Sequence, residues 1–173
     1  MRTAKILLLL LLCFACISSG LPDSNLLKDP KAAKVIALAT AQLGVRELTG
    51  NNDGKAIEGY LAYVYLKKGN PWCAAFVSWV FNQAGYKKPR SAWSPDLFPG
   101  THRIRDPVAA AVFGIYFPAL KRIAHVGLVA GTQHDMLITI EGNTNLAGSR
   151  EGDGVYKKLR HKRFIAAYAN WIK

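Results

Sequence analysis

The chain has 173 residues and a formal net charge of +12, with half of its residues apolar and a fifth charged. This length suits about one folded domain, and the apolar fraction excludes disorder as the dominant state. The positive charge favours anionic partners, such as acidic wall polymers or lipid head groups.

The N-terminus has the pattern of a secretory signal peptide over residues 1–20. A basic start precedes an unbroken aliphatic run at 6–12, and small residues follow through Gly20. The run is shorter than the roughly 20 residues that cross a bilayer, so we predict export without a transmembrane anchor. Residues 21–173 would then form a single monomeric domain in the periplasm or cell envelope, where nucleic acid is not an expected partner.

Two of the three cysteines, Cys13 and Cys16, lie within this signal. Lipid attachment at Cys16 would hold the protein at a membrane, whereas simple cleavage near residues 18–20 would release it, and both alternatives stay open. In either case Cys73 is the thiol that survives processing, and no internal disulfide is possible in the mature domain. An unpaired cysteine in an exported protein suggests a reactive role, with a small buried side chain as the alternative.

The first half of the chain carries helical patterns. Asp29 and Pro30 supply an N-cap and a first-turn proline, and Gly85 is a typical C-terminal residue of a helix. Apolar spacing and these boundary signals predict three helices, over residues 32–43, 57–65 and 72–84. Cys73 would therefore lie at the start of the third helix.

The second half is extended in character, with alternating or continuous apolar residues that are often β-branched. These patterns predict four strands, over residues 112–117, 125–130, 136–141 and 164–171. Helices that precede an antiparallel sheet indicate an α+β domain with the helices packed on one face. We interpret the basic run at 157–163 as a solvated surface that could contact lipid head groups or acidic wall polymers.

The position of Cys73 favours nucleophilic chemistry. Unpaired N–H groups at a helix N-terminus stabilise a thiolate and can receive the oxyanion of a tetrahedral intermediate. Acyl transfer also needs a histidine to protonate the leaving amine. His125 is the candidate because it begins a predicted strand, whereas the other three histidines lie in polar loops or in the basic run.

A hairpin between the second and third predicted strands, joined by a loop at 131–135, gives His125 an orienting partner. If Ala130 lies opposite Met136, His125 lies directly opposite Glu141, close enough for a carboxylate to hold the imidazole. Asn143 projects from the same face two positions further on and is the alternative. A register change of one residue would send Glu141 to the other face.

Four further residues are candidates for substrate binding. The polar side chains could hydrogen-bond a sugar-peptide substrate and the indoles could line a groove, although turn formation and core packing are the simpler alternatives. These residues are Asn52, Asp53, Trp72 and Trp93.

The run Pro-Trp-Cys-Ala-Ala-Phe-Val-Ser-Trp at 71–79, followed by Ala-His-Val-Gly-Leu-Val at 124–129 and Ile-Glu-Gly-Asn-Thr-Asn at 140–145, resembles the CHAP family of cysteine, histidine-dependent amidohydrolases and peptidases. The resemblance extends from about Ala32 to the C-terminus. It implies a papain-like fold and cleavage of peptidoglycan, by an N-acetylmuramoyl-L-alanine amidase or an endopeptidase activity. It also implies that Cys73 is the nucleophile, His125 the base, and Glu141 or Asn143 the orienting residue.

Two features depart from that family. Residues 109–112 read Ala-Ala-Ala-Val where relatives often carry Gly-Asp before the strand, which predicts altered turn geometry or stability. Some relatives bind calcium through an acidic loop before the cysteine, but residues 60–72 contain no Asp or Glu, so we predict no metal and no cofactor. An exported peptidase acting on proteins and a non-catalytic wall-binding protein are the alternative functions.

Overall fold

The computed structural model describes residues 29–146 and 152–172, so the predicted signal peptide, with Cys13 and Cys16, lies outside the described residues. Three helices precede a six-stranded antiparallel sheet, in agreement with the α+β prediction. The helices are α1 (Pro30–Thr40), α2 (Lys55–Tyr63) and α3 (Cys73–Ala84). The strands are β1 (Arg103–Ile104), β2 (Val112–Phe117), β3 (Arg122–Gln133), β4 (Met136–Thr144), β5 (Gly154–His161) and β6 (Ala167–Ala169), in the spatial order β1-β6-β2-β3-β4-β5. Within the described ranges, no helix is long and apolar enough to cross a membrane.

The predicted helix boundaries are confirmed to within about a turn. The Asp29 carboxylate accepts a hydrogen bond from the Lys31 N–H at 2.9 Å, and Pro30 occupies the first turn of α1. Gly85 ends α3 in the left-handed conformation, with φ 101°. A residue with a side chain would be strained there, which is why glycine is common at this position.

Helix α3 lies at the centre of the hydrophobic core. Nine of its twelve residues are buried, because it packs against α1 and α2 and also against β3 and β4. Its N-terminal end meets a cluster of aromatic rings in which Tyr60, Trp72 and Phe76 are fully buried. This packing fixes the position of the residue that opens the helix, Cys73.

The predicted register of the β3–β4 hairpin is wrong. Both strands run further than expected, so that Gln133 pairs with Met136 and only a two-residue turn joins them. Further from the turn, the register shifts by one residue between Gly131 and Val129, and beyond this irregularity Leu128 pairs with Ile140. Near the site the register therefore differs by two positions from the expected one, and a two-residue change leaves each side chain on its predicted face.

Two other strand predictions need correction. The segment 164–171 is not one strand: a 3-10 turn occupies Lys162–Phe164, and only β6 (Ala167–Ala169) is extended. The basic run predicted as a solvated surface mostly belongs to β5, an edge strand, where charged residues obscure the alternation that identifies strands. Lys158 and Arg160 lie on its half-buried side and Lys157 on its exposed side.

Strand β2 begins at Val112, as predicted, directly after the three alanines at 109–111. Ala110 is buried in the left-handed conformation, with φ 61°, in a turn closed by the Ala111 N–H and the Val108 carbonyl at 3.1 Å. An L-residue in this region costs about 1–2 kcal/mol relative to the right-handed conformation. The strained backbone at Ala110 therefore lies in the turn before β2 and not in the strand.

Candidate active site

A cleft of about 500 Å³ lies at the N-terminus of α3. Strands β3 and β4 are paired as far as Leu128 and Ile140, whereas β3 extends back to Arg122 and β4 onward to Thr144. Residues from these two extensions line the cleft together with Cys73, and residues of β2, β5 and the adjoining loops complete it. The first residue of the central helix thus meets the sheet at this opening.

The environment of Cys73 favours the thiolate. Burial by itself raises the pKa of the thiol, but hydrogen bonding to His125 and the charge of that imidazole outweigh it, so the pKa is lowered from its ordinary 9.0. The Ser94 hydroxyl, 3.7 Å from Sγ, and the backbone N–H of Val126 act in the same direction. Trp72, the N-cap residue, provides no side-chain cap for the first N–H groups of α3.

His125 links the thiol to a buried carboxylate. Its Nε2 lies 2.8 Å from Oε2 of Glu141, and its side chain is 12% exposed. An ionised carboxylate only accepts hydrogen bonds, so Nε2 carries the hydrogen and Nδ1 is the nitrogen left for the thiol. Burial lowers the pKa of His125, but the bonds to Cys73 and Glu141 prevail and raise it to about 9.

Glu141 is fully buried, and its carboxylate is saturated with hydrogen bonds. Besides His125, the Thr139 hydroxyl donates to Oε1 at 2.6 Å, and Arg160 donates from Nε at 2.8 Å and from a terminal nitrogen at 2.6 Å. Burial alone raises the pKa of Glu141, but the bonds and charges of Arg160 and His125 hold it far below its ordinary value. The carboxylate therefore stays ionised and keeps the imidazole in place.

Asn143, the other candidate for orienting His125, has a different role. Its Oδ1 accepts the Trp72 N–H at 3.0 Å, and its Nδ2 donates to Oδ1 of Asn52 at 3.2 Å and to the Gly152 carbonyl at 3.3 Å. It thus ties β4 to the residue that precedes Cys73. The amide lines the cleft, as Asn52 also does.

Of the remaining substrate-binding candidates, two are buried and one contacts a residue that lines the cleft. Trp72 is fully buried and donates from its indole to Glu47 at 2.9 Å, so it does not line a groove. Asp53 is also buried and accepts from the Thr49 N–H and hydroxyl, which makes it a turn residue. Trp93 is 50% exposed and packs on the guanidinium of Arg122, a residue that lines the cleft.

Sequence reasoning missed Arg160 and Ser94. Arg160 could have been found from the alternation of Tyr156, Lys158 and Arg160 along β5, once that run was assigned to a strand. Ser94 is brought to the thiol by the 3-10 turn Ser94–Leu97, and no local pattern indicates it.

Among the residues that the structure describes, no group of three or more His, Cys, Asp or Glu side chains could hold a metal ion. Comparison of the sequence with models of known families and with curated proteins finds no match.

Proposed function

We propose that this protein is an exported cysteine-dependent hydrolase of peptidoglycan amide bonds, with a papain-like catalytic arrangement. The observation that carries the proposal is the arrangement of three groups: Cys73 at a helix N-terminus and His125 line the same cleft, and Nε2 of His125 lies 2.8 Å from the buried Glu141 carboxylate. A nucleophile, a base within reach and a third group that orients the base are the parts needed for covalent acyl transfer. The likeness of the three sequence runs to the CHAP family supports the choice of peptidoglycan.

In this mechanism the Cys73 thiolate attacks the carbonyl carbon of the amide, forming a tetrahedral oxyanion beside the first N–H groups of α3. The C–N bond then breaks as the His125 imidazolium gives its proton to the departing amine, which leaves a thioester on Cys73. Water next loses a proton to His125 and attacks the thioester, releasing the carboxylic acid and restoring the thiolate. Glu141 holds the imidazole throughout and stabilises its protonated form.

The experiment is digestion of purified peptidoglycan, followed by zymography and by measurement of released amino groups. We expect the wild-type protein to digest the wall, and Cys73→Ala and Cys73→Ser to remain folded and inactive. His125→Asn should also be inactive. His134→Asn is the matched control, because His134 lies in the exposed turn between β3 and β4 and its backbone φ of 52° suits asparagine.

Other results would point to the alternative functions. Cleavage of unfolded protein but not of peptidoglycan would identify a general peptidase. Absence of any cleavage, together with slow alkylation of Cys73 by iodoacetamide at neutral pH, would indicate a non-catalytic wall-binding protein. If the wall is digested, mass spectrometry of the released muropeptides distinguishes an amidase from an endopeptidase.

A further inference from the structure

We propose that Arg122 forms a carboxylate-binding subsite in the cleft beside Cys73 and His125, so that the enzyme prefers amide substrates with a free carboxylate next to the scissile bond. This inference rests on the proposed function and adds the chemical class of substrate that the cleft selects.

A bulge in β3 places Arg122 in the cleft. His125 pairs with Ile115, but Tyr116 pairs with Ile123 and Phe117 with Arg122, so β3 has one more residue than β2 in this segment. Without the extra residue, side chains three positions apart would project from opposite faces of the strand. The bulge brings Arg122 to the same side as His125, effectively two positions away, or roughly 7 Å along the strand.

The Arg122 guanidinium is held in a defined position. It stacks on the half-exposed ring of Trp93, with its central carbon 4.0 Å from the ring centroid, and one terminal nitrogen donates to the Ile123 carbonyl at 3.0 Å. A stacked guanidinium loses less freedom when it binds a ligand, and its planar edge matches a carboxylate with two parallel hydrogen bonds.

The charge of the cleft also favours an anion. Besides the His125 imidazolium, whose charge is offset by the Cys73 thiolate, three cations line it, Arg122, Lys158 and Arg160, and no Asp or Glu is found among its described lining residues. Arg160 is engaged by the buried Glu141, and the Lys158 ammonium donates to the Asn145 carbonyl. Burial and the charge of Arg160 lower the pKa of Lys158, as expected where positive charges crowd together. Arg122, by contrast, contacts the neutral ring of Trp93 and the carbonyl of its neighbour Ile123.

Binding can be measured without turnover in the Cys73→Ala protein. The probes are two stem tetrapeptides, L-Ala-γ-D-Glu-L-Lys-D-Ala, that differ only in whether the D-glutamate α-carboxyl group is free or converted to the carboxamide. We expect calorimetry to give an affinity about 10-fold higher for the carboxylate, because a charge-assisted bidentate pair is lost in the carboxamide. Adding Arg122→Gln should abolish the difference, whereas adding Lys121→Asn, which removes the adjacent exposed charge, should preserve it.

Equal affinities for the two peptides would overturn the proposal. So would a preference that survives Arg122→Gln, or no binding of the carboxylate peptide at millimolar concentration. The proposed function is tested separately by amide cleavage with the wild-type protein. If the enzyme digests peptidoglycan but binds the two peptides equally well, the proposed function is supported and the proposed carboxylate subsite is refuted.

Discussion

Arg160 controls the charge of Glu141, although it does not contact the thiol. A buried carboxylate with His125 and Thr139 as its only partners could take up a proton and lose its hold on the imidazole. The two bonds from Arg160 oppose this protonation. Arg160 is therefore a positioning residue that acts on His125 through Glu141.

Replacing Arg160 with Met should lower kcat/KM by roughly 10- to 100-fold, which corresponds to losing charge-assisted hydrogen bonds of about 1.5–3 kcal/mol. The acid limb of the pH–rate profile should also move to higher pH, because the pKa of Glu141 rises. Arg160→Lys keeps the charge but not the paired geometry and should be intermediate. Lys157→Met is the control, since it removes a charge from the exposed side of the same strand. An unshifted acid limb in Arg160→Met would refute the positioning role.

The pKa values of Cys73 and His125 predict different pH profiles for two reactions of the same thiol. Amide cleavage needs both the thiolate and the imidazolium proton, so kcat/KM should fall above pH about 9 as His125 is deprotonated. Alkylation by iodoacetamide needs only the thiolate and should not fall there. In His125→Asn the midpoint of the alkylation profile should move to higher pH. Burial raises the pKa of the Cys73 thiol, and the imidazole that offsets this effect is then missing. Parallel declines of both rates above pH 9 would contradict this assignment.

At the scale of the element, β3 is adapted to the side chain of its neighbour β4. A Cβ built on Gly127 would lie 2.8 Å from Cγ of Glu141, 2.8 Å from Cε1 of Phe113 and 2.9 Å from the Ile140 carbonyl oxygen. The Glu141 side chain thus passes over Gly127 on its way to His125. A glycine is required here because a methyl group would occupy the path of the carboxylate.

We expect Gly127→Ala to destabilise the protein by about 1–3 kcal/mol, the usual cost of overpacking, and to reduce activity more than the loss of stability explains. Gly59→Ala is the matched control. Gly59 lies on the exposed side of α2 with nothing within 4 Å of a built Cβ, so alanine should stabilise the helix by about 0.5–1 kcal/mol. Urea unfolding and wall digestion measure the two effects. A fully active Gly127→Ala would show that Glu141 can reach His125 by another path.

The hairpin shows how far the sequence predicts the site. Alternation assigned His125 and Glu141 to one face, and this assignment survives a register error of two because faces repeat every second residue. The bulges beside Val129 and Ile115 depend on how the sheet twists, and no local pattern reveals them. The contact of Arg160 with Glu141 was missed for a different reason: it depends on the pairing of β4 with β5, whose charged residues obscure the strand pattern.

At the scale of the whole molecule, the site is assembled from two halves of the fold. The thiol comes from the helices, and the imidazole and carboxylate come from the sheet. Glu47 connects the halves, since its side chain accepts from the Trp72 indole at 2.9 Å and its backbone N–H donates to the Asp153 carbonyl, next to β5, at 2.8 Å. Asn143 completes the connection through Trp72 and Asn52. The start of α3 is therefore held against β4 by polar contacts as well as by the core.

Because these halves meet only in the folded state, the buried charges of the site couple its ionisation to global stability. The folded pKa of Glu141 lies far below its ordinary 4.5. Its contribution to stability is thus present above pH 4.5 and is lost as the pH falls, since the unfolded chain takes up a proton that the folded site does not. His125 has the opposite sign: its contribution is complete below about pH 6.5 and declines as the pH rises through about 9.

The acid side can be isolated in the Cys73→Ala protein, in which the thiol no longer titrates. Between pH 4.5 and 3 its free energy of unfolding should fall more steeply than that of the same protein carrying Glu141→Gln. The difference in slope approaches about 1.4 kcal/mol per pH unit at the acid end and amounts to roughly 1.7 kcal/mol over the interval, because the unfolded carboxyl is half protonated at pH 4.5. Urea unfolding followed by tryptophan fluorescence measures both slopes, and Glu58→Gln on exposed α2 is the control for removing one acidic group. The comparison uses slopes, so a lower overall stability of Glu141→Gln does not affect it. Equal slopes would mean that Glu141 binds its proton as readily in the folded protein as in the unfolded chain. The proposed role of Arg160, which is to keep Glu141 ionised, would then be wrong.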